Sequence, residues 1–210
     1  LQFIVAHETW HALGIRDNHY GEHSYPIEKM RDSNWLKKMG HSPSIMSYAR
    51  HNNMAQPEDK ISPSLLLQKV GPTDHYYIQW AYSEFPKDVS LREKEDRLER
   101  IIRQHDSVPW YRFIDASQEI IGPGATNEVV ETNDPVKGAR LGLKNLERAM
   151  ALMPNVNKGQ KDYHRLERLY GEALELWSDF MRHVVSQIGG YDVFYKSMDQ
   201  PGKMYTPISM

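Results

Sequence analysis

Two histidines one helical turn apart, with a glutamate beside the first, stand near the beginning of the sequence in the string HETWHALGIRD. Residues i and i+4 of a helix share a face, so His7 and His11 can direct two imidazoles at one metal ion. Glu8 lies beside them, where it can take a proton from a water molecule instead of binding the ion. A helix that only carries histidines on a polar face would have the same sequence motif. The interpretation as a metal site therefore depends on a third ligand.

The continuation of the string to HExxHxxGxxD supplies that third ligand. The chain has to leave the helix and turn back sharply to bring residue 17 to the same ion, and Gly14 can do this at no steric cost because it has no Cβ. Asp17 then offers a carboxylate oxygen, and two histidines with one carboxylate and an open position form a catalytic zinc arrangement. The alternatives are Asp17 as an ordinary turn residue and His19 as a substitute ligand, whose spacing fits less well.

A second motif, SIMSY, occupies residues 44–48. Met46 in a tight turn can form an apolar floor under a metal site, and Tyr48, two residues later, can reach back toward the ion. Taken alone, the methionine is typical of core filler and the tyrosine of a half-buried aromatic residue. The order of the two motifs in the chain favours the metal-site interpretation for both.

Together, the motifs resemble the metzincin clan of zinc metallopeptidases, in which HExxHxxGxx is followed by His or Asp and later by a Met-turn. SIMSY is similar to the Met-turn of astacins and serralysins, whose tyrosine alternates between zinc and the transition state. The sequence resembles the bacterial Met-zincin family more closely, over roughly residues 1–153. The stretches that carry this resemblance are YPIEKMRDSNWLKKMGHSPSIMSYARHNNMAQPED, GPTDHYYIQWAY and NDPVKGARLGLKNLERAM. That family usually has histidine in place of Asp17, whereas snapalysin-like metzincins use aspartate.

The resemblance implies a zinc peptidase in which His7, His11 and Asp17 bind one Zn²⁺. Glu8 is then the general base for hydrolysis of a peptide or protein substrate, and the Tyr48 hydroxyl stabilises the oxyanion. A carboxylate ligand donates charge and should leave zinc a weaker Lewis acid than a third imidazole would. The resemblance also implies an extracytoplasmic location, which is periplasmic, envelope-associated or secreted.

Two other interpretations stay open on the sequence. Glu28 and Asp32 have the ExxxD spacing of gluzincins, with Glu28 as the third ligand, but this leaves Gly14 and the SIMSY motif without a role. A noncatalytic binding or scaffold domain could keep the metal helix as a structural site. Glu8 argues against it, because a structural zinc ion has no need of a general base.

Composition narrows the class of protein. The 210 residues are 40% hydrophobic and 26% charged, which is enough for a globular domain with a real core. A net charge of −2 gives no reason to expect nucleic acid binding. The absence of cysteine excludes disulfides and thiolate metal sites, and no apolar run approaches the roughly 20 residues of a transmembrane segment.

Periodicity and helix-stop residues predict a mainly α-helical chain. Residues 1–13 are apolar on nearly every side and predict a buried helix that ends at Gly14. Residues 14–60 predict mostly loop, with one helical stretch around 27–39. Residues 61–85 predict short helices broken at Gly71-Pro72, residues 88–106 predict a charged helix, and residues 107–132 predict an extended or looped segment. A further helix is expected to begin at Pro135, with Asp134 as its cap, and to end at Pro154. The longest helix is expected over residues 160–188, with one apolar face.

The expected architecture is the zinc-helix and Met-turn lobe of a metzincin-like peptidase, followed by a helical extension. Residues 1–85 would form the lobe and residues 86–210 would pack on it, within one structural unit. Metzincins place a sheet before the zinc helix, and this sequence contains no segment for it. We therefore expect the sequence to be the C-terminal portion of a peptidase, with the N-terminal remainder of the polypeptide as its partner and with weak or no activity alone.

Overall fold

The computed structural model describes residues 2–114, 122, 132–156, 158–159 and 161–209. Most of the predicted loop over 107–132 lies outside these residues. The described part of the chain is mainly helical, as predicted, with seven α-helices and one small sheet. The helices are α1 (Gln2–Ala12), α2 (Tyr20–His23), α3 (Ser33–Met39), α4 (Pro72–Ala81), α5 (Leu91–Ile102), α6 (Pro135–Val156) and α7 (His164–Val185).

The first helix is less buried than its composition predicted. Among the described residues of α1, only His7 is buried, while Ile4 and Val5 are 52% and 58% exposed. The prediction of a buried helix was therefore wrong. Apolar residues on every side of a helix favour burial. Whether the helix is buried depends on whether other parts of the molecule pack against it.

The loop-rich segment between α1 and α4 carries much of the core. One cluster is formed by buried residues from positions 25–54, namely Tyr25, Ile27, Met30, Ala49 and Met54. The ring of Tyr25 makes edge-to-face contacts with Trp35 and Trp110, at centroid distances of 5.3 and 5.5 Å. These contacts fix the path of a chain segment that has little regular structure of its own.

Two helix starts follow from proline chemistry. Helix α6 begins at Pro135, as predicted, and the carboxylate of Asp134 accepts a hydrogen bond from the Lys137 backbone N–H at 2.9 Å. Pro72 was expected to break a helix, but it is the first residue of α4, a position where its missing N–H costs nothing. Helix α6 runs two residues past the predicted stop at Pro154.

Helices α6 and α7 pack against each other through Gly142 and Phe180. A Cβ added at Gly142 would lie 2.2 Å from the ring of Phe180, so the glycine permits this close approach. The predicted apolar face of α7 is only partly buried. Ala173, Phe180 and His183 are its buried residues, whereas about half or more of the surface is exposed at Tyr163, Tyr170, Leu174, Trp177 and Ile188.

The end of the chain forms a small sheet that the sequence pattern did not predict. Strand β1 (Tyr191–Val193) pairs antiparallel with β2 (Tyr205–Pro207), with Val193 opposite Tyr205. Val193 is buried with Tyr20 and Ile114, which ties the sheet to the region of α2. The expected helical extension therefore stops at α7. No helix in the described ranges is both long and apolar enough to cross a membrane.

Candidate metal centre

His7 and His11 project from the same face of α1, with ring centroids 4.7 Å apart. The Nδ1 atom of His7 lies 2.9 Å from the backbone oxygen of Ile45, and the Nδ1 atom of His11 lies 2.9 Å from that of Ile15. A carbonyl oxygen only accepts hydrogen bonds, so Nδ1 must carry the proton in both rings. Each neutral imidazole therefore keeps the lone pair of its Nε2 atom available for a metal.

Asp17 brings a third donor atom to the same point. Its Oδ1 atom lies 3.3 Å from His7 Nε2 and 3.4 Å from His11 Nε2, and the three ligand atoms all lie within 4.8 Å of one another. Four ligands placed about 2.0–2.1 Å from a zinc ion at tetrahedral angles are about 3.3 Å apart. The two measured separations match that spacing.

The donor set fits a cation. Asp17 Oδ1 is buried and has no hydrogen-bond donor among the described residues, and both histidines turn lone pairs toward it. Three electron-rich atoms at this separation repel one another unless a positive charge lies between them. His7, His11 and Asp17 are therefore suited to hold a divalent metal such as zinc, which takes nitrogen and oxygen ligands.

Gly14 makes the turn that brings Asp17 back to the helix. Helix α1 ends at Ala12, and Gly14 has a φ of +83°, a conformation that residues with a Cβ rarely adopt. The N–H of Gly14 donates to the oxygen of His11 at 2.9 Å, and the N–H of Ile15 donates to that of Trp10 at 3.1 Å. The turn therefore follows directly from the end of the helix that carries the two histidines.

The Met-turn lies against this turn. Met46 is completely buried, and its oxygen accepts a hydrogen bond from the N–H of Asn18 at 3.2 Å, next to the candidate ligand Asp17. The hydroxyl of Tyr48 donates to Asp17 Oδ2 at 3.0 Å. The tyrosine thus holds the carboxylate oxygen that does not face the histidines, and the Met-turn fixes the third ligand from two sides.

Asp74 supports the site from the start of α4, and the sequence analysis missed it. Its carboxylate accepts hydrogen bonds from Ser44 Oγ at 2.7 Å, from the N–H of Ile45 at 2.8 Å and from the N–H of Gly71 at 2.7 Å. The oxygen of the same Ile45 accepts a hydrogen bond from His7, so one residue links Asp74 to a candidate metal ligand. An acidic residue in the first helical turn indicates a helix cap, but no pattern shows its reach to residue 45.

Two further buried polar side chains hold the Met-turn. The amide of Gln68 donates to the backbone oxygens of Ser44 at 2.6 Å and of Ser47 at 2.8 Å. The carboxylate of Glu22 is buried and accepts a hydrogen bond from the Ser47 hydroxyl. A buried turn needs such partners because its backbone groups find none in regular structure. A single glutamine in a loop and a single glutamate in a short helix give no sequence signal for this role.

Glu8 stands on the open side of the metal centre. Its side chain is exposed, and together with His7 and Tyr48 it lines a cavity of about 180 Å³. The cavity gives solvent or a ligand access to the face of the site that carries the glutamate. The sequence had placed these three side chains in one site, and the structure brings them to one cavity.

The alternative ligands are not part of this group. Glu28 is exposed and accepts a hydrogen bond from Lys137 Nζ at 2.6 Å, which lowers the pKa of its carboxyl group. The Asp32 carboxylate caps α3, and His19 accepts a hydrogen bond at Nδ1 from the N–H of Tyr48 at 3.4 Å. Within the described ranges, one group of three or more side chains could hold a metal, and it consists of His7, His11 and Asp17.

A protein-family model described as Met-zincin matches residues 1–210, which is the whole sequence. No curated protein and no solved structure matches the chain. The match covers the metal centre and the helices that follow it.

Proposed function

Because the chain belongs to the Met-zincin family, we propose that it carries the catalytic centre of a zinc-dependent peptidase. The observation that carries the proposal is the convergence of His7, His11 and Asp17, whose three ligand atoms lie within 4.8 Å of one another. These residues would hold zinc, which would supply a Lewis acid and would lower the pKa of a water molecule toward about 7.

Glu8 is the proposed general base. It is the carboxylate that shares the small cavity with His7 and Tyr48, and its exposure leaves it able to exchange a proton with water and substrate. It accepts a proton from the attacking water and passes it to the leaving amine. The Ile45 and Ile15 carbonyls meanwhile keep the two histidines in the tautomer that presents Nε2.

Tyr48 is the proposed oxyanion donor. The hydrogen bond from its hydroxyl to Asp17 Oδ2 supports this role. During hydrolysis the hydroxyl would exchange this bond for one to the oxygen of the scissile carbonyl, where negative charge develops. Removing the hydroxyl by Tyr48→Phe should then lower kcat with little change in KM, because the contribution exists mainly in the transition state.

Metal binding is the first test. Titration of the purified protein against a chromophoric chelator should show about one zinc ion per chain, and Asp17→Ala should weaken binding. Glu28→Gln is the matched control and should leave affinity unchanged. Loss of zinc in the Glu28 variant, with Asp17→Ala unaffected, would instead support the gluzincin arrangement.

Peptide hydrolysis is the second test, measured on the full-length polypeptide. Glu8→Gln should retain zinc, because Glu8 is not a ligand, and should lose activity by roughly 10²- to 10⁴-fold, the usual contribution of a general base. Near wild-type activity would exclude Glu8 as the base. A zinc-loaded wild-type protein that cleaves no peptide would favour a noncatalytic scaffold.

We also propose an extracytoplasmic location, and its support is family resemblance alone. Fractionation of cells that express the full-length protein should place it in the envelope or the medium. Recovery in the cytoplasmic fraction would contradict the proposal.

A further inference from the structure

A second, larger cavity lies at the C-terminal end of the zinc helix, outside the metal centre. Its volume is about 430 Å³. Six aromatic side chains line it, and we call it the aromatic pocket: Tyr76, Tyr77, Trp80, Tyr111, Phe113 and Tyr195. Ligand sites of this size are generally concave and mostly apolar, with few polar groups.

Hydrogen bonds fix several of these rings in place. The hydroxyl of Tyr76 donates to the oxygen of Ile102 at 3.1 Å, and its ring stacks on that of Tyr111 with 4.4 Å between centroids. The hydroxyl of Tyr77 accepts a hydrogen bond from the side chain of Asn18 at 2.5 Å. The pocket is therefore preformed, so binding of a ligand does not require these side chains to lose further conformational entropy.

One wall of the aromatic pocket is the turn between two metal ligands. Gly14, Ile15 and Arg16 line the pocket and connect His11 to Asp17. The oxygen of Ile15 is the group that accepts the hydrogen bond from His11 Nδ1. Consecutive Cα atoms are about 3.8 Å apart, so this wall lies within a few residues' length of the metal centre.

The lining favours an uncharged aromatic group. A lysine or arginine side chain would have to leave water for a cavity lined mostly by apolar groups, which disfavours its charge. His105 also lines the pocket, and burial lowers its pKa, so it stays neutral at physiological pH. The six aromatic side chains favour a ring, which packs against them by offset or edge-to-face contact.

We propose that the aromatic pocket binds a large aromatic side chain of the peptide substrate. The inference rests on the proposed peptidase function, which supplies peptides as the occupant, and it adds a preference for substrates with a phenylalanine, tyrosine or tryptophan near the cleaved bond. Successive residues of an extended peptide advance about 3.3 Å. A side chain one to three residues from the metal can therefore reach a wall that joins two of its ligands.

Binding of blocked amino acids tests the proposal without any need for hydrolysis. N-acetyl-L-phenylalanine amide should bind at least about 10-fold more tightly than N-acetyl-L-lysine amide, measured by calorimetry or protein-observed NMR. The measurement is made with and without zinc. Binding of the phenylalanine probe should persist in both states, because the pocket is lined by side chains that are not metal ligands.

Two tryptophans make a matched pair of variants. Trp80 lines the aromatic pocket and is 45% exposed, whereas Trp177 lies on α7 and is 51% exposed. Trp80→Ala should weaken binding of the phenylalanine probe by about 5- to 10-fold, the range expected for one aromatic contact. Trp177→Ala should leave it unchanged, and both variants should fold because neither residue is buried.

Three results would overturn the inference: equal binding of the phenylalanine and lysine probes, equal losses in the two tryptophan variants, and binding of indole without binding of the phenylalanine probe. The last would assign the pocket to a free aromatic molecule. None of them bears on zinc binding or on Glu8. Conversely, a zinc-free or inactive protein that still binds the probe through Trp80 would contradict only the proposed peptidase function.

Discussion

Asp74 shows how one buried carboxylate can position a proposed metal ligand that it does not touch. Its three hydrogen bonds fix the backbone around Ile45, and the oxygen of Ile45 fixes the ring of His7. Burial raises the pKa of the Asp74 carboxyl group, and the three donors oppose this by favouring the charged form. Removing a partner that orients a ligand in a metal site typically lowers metal affinity by about 10- to 100-fold.

Removing the Asp74 carboxylate should therefore weaken zinc binding. Asp74→Ala leaves the buried N–H groups of Ile45 and Gly71 without acceptors, at a cost of about 1–3 kcal/mol each in stability. We expect a 10- to 100-fold loss of zinc affinity, measured by chelator competition at a temperature where circular dichroism shows a folded protein.

The conservative variant separates positioning from simple loss of structure. Asp74→Asn keeps one oxygen for the two backbone donors and should restore zinc affinity to within about threefold, since most of the hydrogen bonds survive. Asp32→Asn serves as a control, because asparagine caps a helix as well as aspartate does. A folded Asp74→Ala protein with wild-type affinity would contradict the role.

At the scale of elements, helix α6 connects the metal-centre region to α7. Its Asn145 side chain donates to the backbone oxygens of Asn53 and Ala55 at 2.8 and 2.7 Å, just beyond the Met-turn. Three residues earlier in the helix, Gly142 receives the ring of Phe180. Helix α6 therefore contacts both α7 and the loop that carries the site.

Adding a methyl group at Gly142 should destabilise the protein. The Cβ of Gly142→Ala would lie 2.2 Å from the Phe180 ring, and such overpacking typically costs 1–3 kcal/mol, more than the roughly 1 kcal/mol that alanine gains in a helix. Thermal denaturation should show a lower Tm by a few degrees.

Gly171→Ala is the matched control. Gly171 lies within α7, and an added Cβ there would meet no atom within 4 Å. Its Tm should rise, because only the gain in helix propensity remains. An equal rise in both variants would mean that Phe180 can move aside without cost.

At the scale of the whole molecule, buried His41 makes stability depend on pH. The side chain is completely buried, and its Nε2 donates to the oxygen of Ala49 at 2.7 Å. Burial lowers the pKa of His41 from 6.5 to about 4. The unfolded chain therefore takes up this proton below about pH 6.5, whereas the folded protein excludes it until about pH 4.

The free energy of unfolding should therefore fall as the pH is lowered from about 6.5 to about 4, by as much as about 3 kcal/mol from this residue. Denaturant unfolding across this range measures the slope. His41→Gln removes the titrating group while its amide can still donate to Ala49, so the slope should be shallower in the variant. Identical slopes would show that His41 does not control this dependence.

The sequence by itself determined the local parts of this protein. The spacing of His7 and His11, the place of Gly14 at the end of their helix and the capped start of α6 depend on backbone geometry within a few residues. Helix periodicity and the conformational freedom of glycine act over that distance, which is why the sequence could predict these features.

Only the tertiary structure decided which distant groups meet. Asp74 reaches Ile45, the Tyr48 hydroxyl reaches Asp17, and the aromatic pocket joins residues from positions 14 to 195. The exposed sides of α1 and α7 likewise depend on which surfaces pack against them. Hydrogen bonds and packing between residues about 30 or more positions apart depend on how the whole chain folds. A local sequence pattern does not contain that information.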